Sequence, residues 1–146
     1  MSATTRLPHP VRAAAMGVAV VFLVVGVLGF VPGITADLDR IAFAGTGSGA
    51  HLLGVFHVSV LHNLVHLLFG AVGLAMARTA SGGRAFLLGG GAVYLVLWLY
   101  GLVVDKSGPA NFVPVNDADD WLHLGLGLGM VALALALKGN PNARSA

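Results

Sequence analysis

Apolar residues run along this chain in four long blocks, separated by polar stretches rich in glycine, proline and aspartate. The blocks cover residues 11–31, 52–77, 85–104 and 118–137, and each approaches or exceeds the roughly 20 apolar residues a helix needs to cross a bilayer. Between them lie "PGITADLDRIAFAGTGSGAH", "RTASGGR" and "DKSGPANFVPVNDADD", which carry the residues that punctuate helices. The pattern predicts an all-α protein, an integral membrane bundle of four transmembrane helices forming a single domain over residues 1–146.

The second block contains a polar interruption, "HNLVHLLFG". On a helix advancing about 100° per residue, Ser59, His62, Asn63 and His66 fall within one face about 100° wide. Gly70, Gly73 and Ala77 continue that face, and His57 falls on the other side. A stripe that is first polar and then small belongs in the bundle interior, where small residues admit a neighbouring backbone and polar groups hydrogen-bond between helices. His62 and His66, about 6 Å apart along the axis, are expected between the outer leaflet and the midplane.

The fourth block offers a partner. Asn116 or Asp117 is the expected N-cap, and Asp119 and Asp120 occupy the first turn, where the helix dipole favours negative charge. Trp121 suits the interfacial aromatic belt. His123 lies just inside, and Gly125 and Gly129 provide an expected close-packing face. Blocks two and four run in the same direction, so they are expected side by side, with His123 level with His57 or His62. The third block adds Tyr94, Trp98 and Tyr100, and the glycines at 89–91 thin its inner half.

Composition fixes the solvent. Hydrophobic residues make up 57% of the chain and charged ones 10%, against about 25% charged in an ordinary soluble domain, and the mean hydropathy is +0.88. A soluble domain of about 150 residues still exposes roughly a third of its chain's surface, so the bilayer is the expected partner. The absence of cysteine excludes disulfides and thiolate chemistry. The basic residues are scattered singly, which argues against a nucleic-acid partner.

Charge also predicts orientation. Arg6, Arg12, Arg78, Arg84, Lys138 and Arg144 fall on one side, Arg40 and Lys106 on the other, together with all six aspartates. Short basic loops stay cytoplasmic, so both termini are expected inside, with the protein in the plasma membrane. A competing reading makes Arg6, Arg12 and the first block a signal peptide cleaved near Ala36; the block is longer than the usual 7 to 15 apolar residues, and it is read as a span.

The polar residues permit two classes of function. In the first, His57, Ser59, His62, Asn63, His66 and His123 fix helix register in a structural or accessory membrane component, acting alone, as a homo-oligomer or within a larger membrane complex. In the second, two histidines hold haem b, or His62, His66 and His123 hold a divalent metal. No carboxylate lies within the spans beside them, and imidazole-only transition-metal sites are a minority pattern; a second haem ligand opposite His66 is not evident. No cofactor or metal is therefore expected. A proton path lacks an acid or lysine within the spans. "GTGSGAH" lacks the Gly-Lys-Ser of a phosphate loop, and no G-x-S-x-G context is present, so no enzymatic activity is expected.

"LLGVFHVSVLHNLVHLLFGAVGLAMAR", "YLVLWLYGLV" and "PVNDADDWLHLGLGLGM" resemble the segments that define small bacterial four-helix membrane proteins of the domain of unknown function 4383 family. The resemblance runs from about Gly29 to Leu137, and "HNLVHLLFG" and "DDWLHLGLG" are its most specific parts. It implies an integral membrane protein of a kind common in actinobacteria, and it implies no activity, substrate or cofactor. Its blocks pick out His62, Asn63, His66, Asn116, Asp120, Trp121 and His123, with His57 as an additional histidine.

Overall fold

The computed structural model describes residues 9–137. Arg6, Lys138 and Arg144, three of the basic residues used to assign a side, lie outside them. The described chain is mostly helical, with α1 (Pro10–Leu28), α2 (Val60–Met76), α3 (Ala80–Val103) and α4 (Asp117–Ala136). By length and composition, α1, α3 and α4 are suited to crossing a membrane. Helix α2 has 17 residues and rises about 26 Å, somewhat less than the roughly 30 Å of a hydrocarbon core.

The shortness of α2 corrects the expected second block. Its first eight residues do not continue the helix. Three of them join a small antiparallel sheet of two-residue strands, ordered β1 (Thr35–Ala36), β2 (His51–Leu52) and β3 (Phe56–His57). The reason lies in two residues. Leu53 and Gly54 take φ of 54° and 70°, the left-handed pair at the centre of a tight turn in which the Val55 N–H donates to Leu52 O at 3.1 Å. Ser59 then takes extended dihedrals and its hydroxyl accepts the His62 N–H at 3.1 Å, an N-cap that starts the helix at Val60. Ala50, Leu52 and Val58 form a small core under this cap, closed by Val25, Leu28, Ile34 and Phe56.

At the other end, the turn between α2 and α3 is shorter than expected. Thr79 caps α3 by accepting the Gly82 N–H at 3.0 Å, so Ser81, Gly82 and Gly83 belong to the first turns of the helix. Arg12 of α1 donates to Ala77 O at 3.1 Å and ties α1 to this turn.

Glycines decide how the helices pair. Helix α2 packs along α1, and α3 along α4. A Cβ at Gly70 would overlap Leu23 and the Ala19 carbonyl, and one at Gly26 would overlap Leu67 and the Asn63 carbonyl. Gly91 and Gly127 face each other across α3 and α4, each meeting the other's carbonyl oxygen. Small residues admit this backbone approach, which is how helices associate without a hydrophobic driving force between them. Val11, Ala15, Ala19, Phe22, Phe86, Leu87, Met130 and Ala134 fill the core between the pairs. Val20, Val24, Leu68, Val72, Val96, Leu99, Leu128 and Leu135 point outward and are exposed, the surface a bilayer would cover.

Two expectations change accordingly. The expected side-by-side packing of blocks two and four is replaced by α1–α2 and α3–α4 pairs. Gly125 and Gly129 are exposed, with open space where a Cβ would stand; the close-packing glycine of α4 is Gly127, two residues from each and therefore on a different face. Overpacking a close interface costs about 1–3 kcal/mol. Gly127→Leu should lower the thermal unfolding midpoint in detergent by several degrees, whereas Gly125→Leu should leave it unchanged; equal effects would refute this assignment of faces.

Candidate functional site

Polar residues concentrate where the β-hairpin meets the start of α4. Asn116 caps α4: its Oδ1 accepts the Asp119 N–H at 3.0 Å, and Asp119 Oδ2 accepts the Asn116 N–H at 2.9 Å, a reciprocal capping box. The same two side chains reach back to the hairpin. Asp119 Oδ2 also accepts the His57 N–H at 3.2 Å, and Asn116 Nδ2 donates to Val55 O at 2.7 Å. His57 Nε2 is 2.6 Å from Ser48 O, and the Ser48 hydroxyl donates to Val58 O at 2.6 Å. These bonds fasten the cap to α4 at positions more than sixty residues apart.

Asp120 faces the other way. Its carboxylate pairs with Lys106 at 2.5 Å and occupies space that a side chain at residue 101 would fill, so Gly101 is required there. The 105–115 loop is folded on itself. Asn111 accepts from Val115 N at 3.0 Å and donates to the carbonyls of Lys106 and Val115, both at 3.1 Å. Ser107 donates to Asp105 through its hydroxyl and its backbone N–H, which holds the Asp105 carboxyl below its ordinary value.

Below this latch lie the histidines. His62 and His66 stack with centroids 4.6 Å apart and planes 9° from parallel. His66 Nδ1 is 3.0 Å from His62 O; a carbonyl only accepts, so Nδ1 carries the proton. His123 meets Tyr94 edge-on at 5.2 Å. Phe22 rests against His66, Phe69 and Tyr94, an aromatic layer between the cluster and the core. Asn63 packs beside Gly29, the residue that follows α1. His62 Nδ1, Asn63 Nδ2, Asp120 Oδ1 and His123 Nδ1 are buried with no hydrogen-bond partner among the described residues.

Two cavities flank the cluster, and His62, His66 and His123 line both. The larger, about 310 Å³, lies between α2, α3 and the 112–115 segment. The smaller, about 210 Å³, lies between α1, α2, α4 and the hairpin and includes Asp119. The histidines thus form a shared wall between two mainly apolar spaces.

The arrangement bears on the cofactor alternatives. Among the described residues no three His, Cys, Asp or Glu side chains are grouped as a metal set would be. Two near-parallel imidazoles 4.6 Å apart leave no room for a porphyrin between them, so His62 and His66 are not placed as axial ligands on opposite faces of one haem. What the site offers is hydrogen bonding and aromatic contact in an apolar enclosure.

A family model described as a domain of unknown function, DUF4383, matches residues 12–136. The chain belongs to the DUF4383 family. The match takes in α1, beyond the Gly29–Leu137 stretch that carried the resemblance in the sequence, so in this DUF4383 protein all four helices fall within the family region. No curated protein and no solved structure matches the chain.

Of the residues singled out in the sequence, His62, His66 and His123 meet around the cavities, and Ser59 and Asn63 lie at the start of α2, the first as its cap and the second against α1. His57 is not on α2; it belongs to β3, stacked on His51 at 5.1 Å, because the helix begins three residues later. Asn116, rather than Asp117, is the N-cap, and Asp117 is exposed. Trp121 is 69% exposed, as an interfacial residue would be. Asp119, expected as a first-turn acid, is the hub of the latch, and the Asn-x-x-Asp spacing of a capping box is its signal in the sequence. Ser48 and Asn111 carried no comparable signal.

Loss of an N-cap costs about 0.5–2 kcal/mol, and Asn116 also holds the hairpin. Asn116→Ala should therefore destabilise the DUF4383 protein by about 1–2 kcal/mol and expose the Phe56 and His57 amides to faster hydrogen exchange. Unchanged exchange in the hairpin would contradict the latch.

Proposed function

We propose that the protein is an integral membrane protein of the plasma membrane with both termini cytoplasmic, acting as a structural or accessory component rather than an enzyme. The cap bearing the hairpin and the aspartate-rich loops then faces outward. The observation that carries this reading is the latch: the polar groups of His57, Asn116 and Asp119 bond within the chain and fix the cap on α4, which is what a presenting scaffold needs. The charge distribution supports the orientation. Arg12, Arg78 and Arg84 sit at the end with the α2–α3 turn, and Asp37, Asp39, Asp105 and Asp117 at the cap end. The exposed apolar loop residues Phe43, Leu53, Val55 and Phe112 suit contact with a membrane surface or a larger membrane complex.

Reporter fusions after Ala146 and within residues 105–117 test the orientation. A cytoplasmic signal is expected from the first and an extracytoplasmic signal from the second; an extracytoplasmic C-terminus overturns the four-span arrangement. The structural role is tested at His66, whose Nδ1 bond stays within its own helix. Even interhelical polar bonds in membranes average only about 0.6 kcal/mol, so removing this intrahelical one in His66→Leu should shift stability by less than about 1 kcal/mol. Loss of folding would contradict the reading.

A further inference from the structure

The larger cavity has features that a scaffold alone does not require. Its walls are Val, Leu, Tyr, Phe and three imidazoles, with no lysine, arginine, aspartate or glutamate. An anionic headgroup has no counter-charge there, so a phospholipid head or a free phosphate is disfavoured. A volume of about 310 Å³ lies at the small end of the range of ligand sites, which are mostly apolar with a few placed polar groups.

The polar groups are few and specific. His62 and His123 are each about 5% exposed, and each holds a ring nitrogen with no partner among the described residues. His66 donates through Nδ1 to its own helix, so its neutral ring leaves Nε2 as an acceptor. His66 thus offers an acceptor, and His62 and His123, as neutral imidazoles, each carry one N–H and one bare nitrogen. Tyr94, Tyr100 and Phe112 add flat aromatic walls, which favour a planar ring over a branched or flexible group.

Access is from the side. Helices α2 and α3 pack on α1 and α4 and only slightly on each other, which leaves a cleft between them. Val65 and Val96, at the cavity's edge, are 45% and 64% exposed on the outward apolar surface. A ligand entering between them comes from the lipid phase.

We propose that the cleft between α2 and α3 binds the ring of a neutral, lipid-soluble quinone, with its oxygens on the His62, His66 and His123 imidazoles and its tail leaving past Val65 and Val96. A quinone carbonyl accepts from an imidazole N–H, and the hydroxyl of the reduced form donates to a bare ring nitrogen. The site therefore suits both forms, and binding requires no electron transfer by the protein. This inference is independent of the scaffold reading and of its orientation.

The test is a titration of the full-length protein in detergent with a decyl-substituted benzoquinone, read by quenching of tryptophan fluorescence. Trp98 lies on the same helical turn as the lining residues Val96, Leu97 and Tyr100. Saturable quenching is expected in the wild type. His123→Leu removes a hydrogen-bonding ring, and Val96→Phe narrows the mouth from an exposed position that leaves the core intact. Each should weaken binding by about tenfold or more, the equivalent of one good hydrogen bond or a steric block. Quenching that rises linearly without saturation, or that is unchanged in Val96→Phe at an unaltered thermal midpoint, is partition into detergent and overturns the proposal.

Discussion

The close backbone approach inside two helix pairs is the constraint from which the remainder of the architecture follows. Gly26 and Gly70 bring α1 and α2 together, and Gly91 and Gly127 bring α3 and α4 together. In lipid, helices gain nothing from hiding apolar surface from one another, so contact area and backbone proximity decide which helices pair. Glycine is concentrated within the pairs, and larger side chains such as Phe22, Phe69, Phe86 and Tyr94 fill the seam between them. Side chains of that size pack less evenly than glycine on backbone. Space remains at both ends of the bundle, and at the cap end it borders the histidines and Tyr94.

Polar residues gather around the space at the cap end. A buried polar group without a partner is costly, and in a membrane the surrounding lipid supplies none. At the cap end most of the polar groups find partners across elements. Asp119 serves the α4 terminus and the hairpin at once, and Lys106 neutralises Asp120 beside Gly101. The exceptions are His62 Nδ1, Asn63 Nδ2, Asp120 Oδ1 and His123 Nδ1, and the histidine rings also border open volume on two sides. The glycine seams and the latch thus join the elements, and the histidines border the gap between the pairs.

Much of this was legible in the sequence and some was not, for physical reasons. Long apolar blocks bounded by Gly, Pro and Asp gave four helices, because period and length are local properties. His62, His66 and His123 were expected together on side-by-side packing of blocks two and four; they line the same cavities although α2 and α4 do not pair. The hairpin over residues 51–57 was hidden, because an apolar strand pair inside an apolar block has the hydropathy of a helix; only Gly54 and the Ser59 cap marked the boundary. Leu53 in a left-handed conformation has no signature, since leucine rarely adopts it. The misplaced packing face at Gly125 and Gly129 shows the limit of motif reading: four-residue spacing of glycines identifies a smooth face, and only the neighbouring helix decides whether Gly127 is the one used.

The most direct measurement of the central claim is a set of ring-to-ring contacts in the protein reconstituted in lipid bilayers, by solid-state NMR with labelled histidine and tyrosine. The account requires through-space correlations between the His62 and His66 rings, which stack at 4.6 Å, and between Tyr94 and His123, at 5.2 Å. It also requires a His66 ring protonated at Nδ1. Strong Tyr94–His123 correlations would place α3 against α4 at this point. A His123 ring without contact to Tyr94 that correlates instead with lipid chains would contradict the arrangement.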